Sequence, residues 1–161
     1  MDVTPQQIHQ LIEYLISEDV LYIFATHLHK LPFEARKDVQ VIFSNALRWK
    51  PVGGQASDPR VIQWILNERP EVINALCHGY DNRESAMVCG TILREALKFD
   101  CMAALILYDE PLEPGTRSRG LRGVDPSKPT SGKGLFWDFF AWIDRGQFEV
   151  SADSFNTLRV C

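Results

Sequence analysis

The chain has 161 residues, 45% of them hydrophobic, and a formal net charge of −4. That length and apolar content suffice for one ordinary core; the mild acidity gives no electrostatic case for nucleic acid, and no apolar run approaches the length of a membrane span. The N-terminal MDVTPQQIHQ lacks the basic-then-apolar order of a signal peptide, and Cys77, Cys89, Cys101 and Cys161 form no CxxC pair, so they read as reduced cysteines of an intracellular protein.

In chain order, Thr4-Pro5-Gln6-Gln7 is a helix start, with Thr as N-cap, Pro in the first turn and Gln closing a capping box. Ile8, Leu11, Ile12, Leu15 and Ile16 then share one face. Ser17-Glu18-Asp19 breaks this helix and caps the next, predicted over 20–30. After Pro32 a helix is expected over 33–48, with Val39, Ile42, Phe43, Ala46 and Leu47 inward. Pro51 and Gly53-Gly54 mark a loop over 50–57. Asp58-Pro59 opens a short helix to Glu68, and Pro70 starts another that ends near Gly79. The longest amphipathic stretch, NRESAMVCGTILREALKFD over 82–100, carries Ala86, Cys89, Leu93, Ala96 and Leu97 on a slim inner face suited to the middle of a stack. Asp100 is expected to cap a helix through Met102, Leu105 and Ile106. Pro111, Pro114, Pro126 and Pro129, with five glycines, make 110–134 a flexible surface loop by composition. An aromatic-rich helix is predicted over 135–144, followed by FEVSADSFNTLR from Phe148 to Arg159.

Three of these helices close on the same dipeptide. The Leu-Arg pairs at 47–48 and 93–94 are 46 residues apart, and the pair at 158–159 follows 65 later, the surplus being the Pro/Gly-rich insertion. A period of about 40–47 residues with two or three helices per unit is that of HEAT and armadillo arrays. The fold expected is all-α: a helical-repeat solenoid forming a single domain over 1–161, cut off as its third repeat helix completes its visible face.

No constellation for catalysis or metal binding emerges. His27 and His29 point apart on a helix and lack an acidic or thiol ligand at metal spacing. Cys77 and His78 are adjacent and cannot face each other as nucleophile and base. Asp81-Asn82-Arg83-Glu84 is not a calcium-binding loop, and no phosphate-binding glycine motif occurs. TRSRGLR in the insertion reads as solvated loop or weak docking patch, and FWDFFAW as core. No enzymatic activity, cofactor or metal is therefore expected.

The strings GY-x-x-x-E-x-A-x-x-CG-x-x-LRE and F-x-x-SADSF-x-TLR, in this order after FEARKDVQVIFSNALR, closely resemble the calcium-binding protein 39 (mouse protein 25) family, which includes fungal HymA-like conidiophore development proteins. The resemblance runs from about Leu11 to Arg159, outside the insertion. It implies an armadillo-like solenoid without catalysis: a cytoplasmic scaffold that binds Ste20-type kinases or pseudokinases and stabilises their active form. In fungi it implies support of polarised growth, conidiophore development and cell morphogenesis. Members of that family are about twice this length, and their pocket for a partner's C-terminal peptide lies in the half without a counterpart here. Despite the family name, no calcium binding is expected.

Superposing the three helices by their Leu-Arg ends gives a candidate partner-binding stripe. It reads Lys37, Val41, Ser44, Asn45 and Arg48 in the first copy, Arg83, Met87, Gly90, Thr91 and Arg94 in the second, and Phe148, Ala152, Phe155, Asn156 and Arg159 in the third. These are positions i, i+4, i+7, i+8 and i+11, one face of a helix. In armadillo-type stacks the third helix of each unit lines the concave side, so the stripes would form a groove; the competing reading is ordinary solvated helix surface. Lys37 and Phe148 match positions at which the family contacts its kinase partner. Another helical adaptor, for a different protein or for RNA, is the alternative.

Overall fold

The computed structural model describes residues 3–53, 58–108, 127 and 132–161. Among them are nine α-helices and no strand: α1 (Pro5–Ser17), α2 (Val20–His27), α3 (Phe33–Arg48), α4 (Arg60–Asn67), α5 (Glu71–His78), α6 (Arg83–Ala96), α7 (Asp100–Leu107), α8 (Leu135–Ile143) and α9 (Phe148–Val160). They form three units of three helices. First helices stack as α1, α4 and α7, α2 lies on α5, and third helices stack as α3, α6 and α9, with α6 between its two counterparts. This is the helical-repeat solenoid read from the Leu-Arg spacing.

The capping box at Thr4 forms: the Gln7 amide donates to Thr4 Oγ1 at 3.3 Å, and the Thr4 amide donates to Gln7 Oε1 at 2.9 Å. Other expected boundaries shift. Asp19 does not cap α2; its φ of 56° places it in the left-handed region that Asp tolerates better than most residues, and its carboxylate takes Arg69 instead. Chelation by an arginine of the next unit outcompetes a local cap. The second helix becomes a 3-10 turn after His27, and α6 stops at Ala96 rather than running to Asp100, because Asp100 is the first residue of α7 and not its cap. The 110–134 loop lies almost wholly outside the described residues, as does 54–57.

The core runs through all three units. Phe43, Ile62, Ile65, Leu76, Tyr80, Ile92, Phe139 and Trp142 are buried, and each such large side chain contributes roughly 1.5–3 kcal/mol. Small residues bring α6 close to its neighbours: Ala86, Cys89 and Ala96 are fully buried. Burial raises the Cys77 thiol well above its ordinary range and pushes Cys89 up to about 12, so neither is an activated nucleophile. The aromatic helix is divided. Phe139 and Trp142 turn inward, whereas Trp137 and Phe140 are exposed. Trp142 Nε1 donates to Asp81 Oδ1 at 2.9 Å, which anchors α8 to the 3-10 turn before α6. Ile42, expected inward, is exposed.

Candidate functional site

Charged side chains at the helix starts set the third helices side by side in one direction. Arg36, near the start of α3, donates to the Glu84 carbonyl and lies 3.2 Å from its carboxylate on the first turn of α6. Arg83, the first residue of α6, pairs with Glu149 on the first turn of α9 at 3.3 Å. Later on the same helices Arg94 meets Asp153 and Thr157. Start meets start at both junctions, and on α6 and α9 later residues meet as well, so the three helices run roughly parallel, as the repeat register requires.

The candidate stripe is thereby brought into one row, though not all of it is free surface. On α3, Lys37, Val41, Asn45 and Arg48 are exposed and Ser44 is half-buried. Lys37 Nζ lies over the Phe33 ring at 4.2 Å, and Arg48 Nε donates to its own helix at the Ser44 carbonyl, 2.9 Å away. On α6, Arg83 and Met87 are exposed and Thr91 is half-buried, its hydroxyl donating back to the Met87 carbonyl. On α9, Phe148 is 86% and Phe155 52% exposed; Asn156 and Arg159 are exposed and Ala152 is half-buried.

Gly90 and Arg94 depart from the expectation of an open groove. Arg94 is clamped against α9: Nη2 donates to Asp153 Oδ1 at 2.9 Å, Nη1 to Asp153 Oδ2 at 3.0 Å and Nη1 to Thr157 Oγ1 at 2.9 Å. Tyr80, from the 3-10 turn before α6, donates to Asp153 Oδ2 at 2.7 Å and lies 2.7 Å from Thr157 Oγ1. With the Tyr80 proton given to the carboxylate, Thr157 donates to the phenol oxygen, and Arg94, Thr157, Tyr80 and Asp153 close a ring of hydrogen bonds. Burial drives the Tyr80 pKa far above its usual value and keeps the phenol a donor. Burial also disfavours the Arg94 charge, but hydrogen bonds and attraction from Asp153 outweigh it and raise the Arg94 pKa. Gly90 is buried against this ring and leaves no room for a side chain: a Cβ would stand on the Asp153 carboxylate and 2.5 Å from the Tyr80 oxygen.

The register explains why one of the three Leu-Arg arginines is clamped. Aligned by those pairs, Asp153 on α9 corresponds to Val88 on α6. The position that supplies the acid to Arg94 is thus a valine on the helix beside α3, and Arg48 donates to the Ser44 carbonyl of its own helix.

The family model described as Mo25-like matches residues 1–161. The chain belongs to the Mo25-like family. Among relatives it is similar to the conidiophore development protein hymA of Emericella nidulans, 54% identical over 99% of this chain and 41% of that protein. It is similar to MO25-like protein 2 of Caenorhabditis elegans at 30% identity, covering 96% of this chain and 37% of that one, and to the human calcium-binding protein 39-like at 25%, with the same coverage. The chain thus spans about two fifths of the length of these relatives. Mo25-like membership accords with the strings that signalled it, which hold the residues of the ring: Tyr80, Gly90 and Arg94 in the first, Asp153 and Thr157 in the second. The ring is what sequence reasoning missed. Its signal was an acid among small and uncharged residues, at SADSF.

Proposed function

We propose that the chain is a non-catalytic scaffold whose row of third helices binds a Ste20-type protein kinase or pseudokinase, and that it serves cell morphogenesis, as the name of the Emericella nidulans relative suggests for that protein. The observation that carries this is the run of exposed side chains along three parallel helices, Lys37 and Val41 on α3, Met87 on α6, Phe148 and Phe155 on α9. Membership of the Mo25-like family supports it. An apolar centre with charged ends suits a protein partner: aromatic anchors supply affinity and rim charges supply steering. The net charge of −4 offers no attraction for RNA. Arg83 and Arg94 hold α9 in place, and contact with the kinase falls to Phe148, Met87, Val41 and Lys37. No calcium or cofactor takes part, and the place of action is the cytoplasm, as the family resemblance implies.

The test is titration of a labelled Ste20-type kinase domain with variants of the chain, alongside thermal melts. A central aromatic cut to Ala costs about 2 kcal/mol, which is roughly 30-fold in affinity, so Phe148→Ala weakens binding by that factor or more. Lys37→Ala weakens it less, and mainly at low salt, because rim charges are screened. Neither variant lowers Tm, since both side chains are exposed. Unchanged affinity for Phe148→Ala would sink the assignment of this face.

A further inference from the structure

The two junctions between third helices are built differently. Where α6 meets α9, a buried aspartate, a tyrosine, a threonine and an arginine close a ring, and Gly90 makes room for it. Where α3 meets α6, the position corresponding to Asp153 is Val88, and the arginine corresponding to Arg94 bonds its own helix. A buried ion pair of this kind adds little net stability, because desolvating both charges offsets their attraction; its best-attested contribution is to fix one register among several. Apolar contacts tolerate sliding and rotation. A carboxylate held by two guanidinium nitrogens and a phenol does not.

We propose that Arg94 and Asp153, with Tyr80 and Thr157, are positioning residues: they set the rotation and register of α9 on α6, and so hold Phe148 where a partner meets it. This rests on the kinase-facing reading above. Phe148 is five residues before Asp153, about 7.5 Å along the helix, and 86% exposed, so no packing of its own fixes its ring. Its position follows from that of α9. The ring anchors α9 from two segments at once, since Tyr80 comes from the turn before α6 and Arg94 from the end of α6.

The decisive variant replaces the pair by apolar side chains of similar size, Arg94→Met with Asp153→Leu. Removing both charges leaves no buried ion without its partner. Thermal melts, amide hydrogen exchange along α9 and affinity for a Ste20-type kinase domain are measured on this variant, on Phe148→Ala and on the unaltered chain. Expected for the double variant are an unchanged or raised Tm, faster exchange in α9 with α3 unchanged, and affinity weakened by about 2- to 30-fold. Native affinity and native exchange in α9 would overturn the proposal. So would a loss of affinity accompanied by a collapsed melt and faster exchange throughout, which is simple unfolding. If Phe148→Ala binds normally, the kinase-facing reading fails, and α9 exchange in the double variant alone decides whether the ring fixes this helix.

Discussion

Gly90→Ala sets two effects of opposite sign against each other, and the structure decides between them. On helix propensity alone, Ala in place of Gly within α6 stabilises by about 1 kcal/mol. The added methyl, however, stands on the Asp153 carboxylate, 2.9 Å from Asp153 Cγ and 2.5 Å from the Tyr80 oxygen. The neighbour that must yield is not the loose end of a surface chain; Asp153 is 5% exposed and held by Arg94 and Tyr80. Overpacking of this kind costs about 1–3 kcal/mol, and expelling the carboxylate from Arg94 costs about 3–5 kcal/mol. The cheaper route prevails, and contacts this short put it at the upper end of its range, so after the propensity gain the net loss is about 2 kcal/mol. For a chain of this length Tm falls by about 4–8 °C, readable by circular dichroism. In an Asp153→Ala background only the Tyr80 oxygen is left to yield, and without the carboxylate it is free to shift, so the loss from Gly90→Ala shrinks. An unchanged or raised Tm in the single variant, or fully additive losses in the double, would refute the reasoning.

Two further outcomes follow from other parts of the molecule. Burial pushes the Asp81 carboxyl up, but hydrogen bonds from Trp142 and His78 and the charge of Arg145, 2.6 Å away, outweigh it and hold its pKa below the ordinary value; a lowered folded pKa contributes stability above the unfolded value near 3.9 and loses it as pH falls through the folded one. The gap in urea midpoint between the unaltered chain and Asp81→Asn therefore closes below about pH 4, and a gap constant from neutral pH to pH 2 would contradict the assignment. Phe155 and Val160 leave apolar surface on α9, which promotes association, so sedimentation of the isolated chain shows concentration-dependent dimers or larger species; a monomer at all concentrations, with no binding of a hydrophobic dye, would count against it.

Elements with a one-dimensional signal were legible in the sequence. The start of α1 followed from Thr4 and Gln7, because capping involves neighbours three residues apart. The bounds of α3 followed from Pro32 and the periodicity up to Arg48. Where a long-range partner competed with a local rule, the rule failed. Asp19 has the composition of a cap, yet Arg69, 50 residues on, takes its carboxylate. Ile42 fits an inward position by spacing, but it is exposed. Spacing places a side chain on a face and leaves open what lies against that face.

The same limit applies to the candidate stripe. Position i+11 reads Arg48, Arg94 and Arg159, and equal spacing suggests an equal role. What separates them is the residue on the neighbouring helix. Arg94 meets Asp153 and is held half-buried; the register position of that acid beside α3 is Val88, and Arg48 stays exposed, bonded to Ser44. Gly90 carries the complementary lesson, since a glycine inside a helix costs about 1 kcal/mol relative to Ala and so marks a place where something else must fit. Read with SADSF, where one buried acid stands among otherwise uncharged buried residues, the pair Gly90 and Asp153 was the legible trace of a helix contact. Neither position reveals it alone, because the signal is a vacancy on one helix and a charge on another, 63 residues apart.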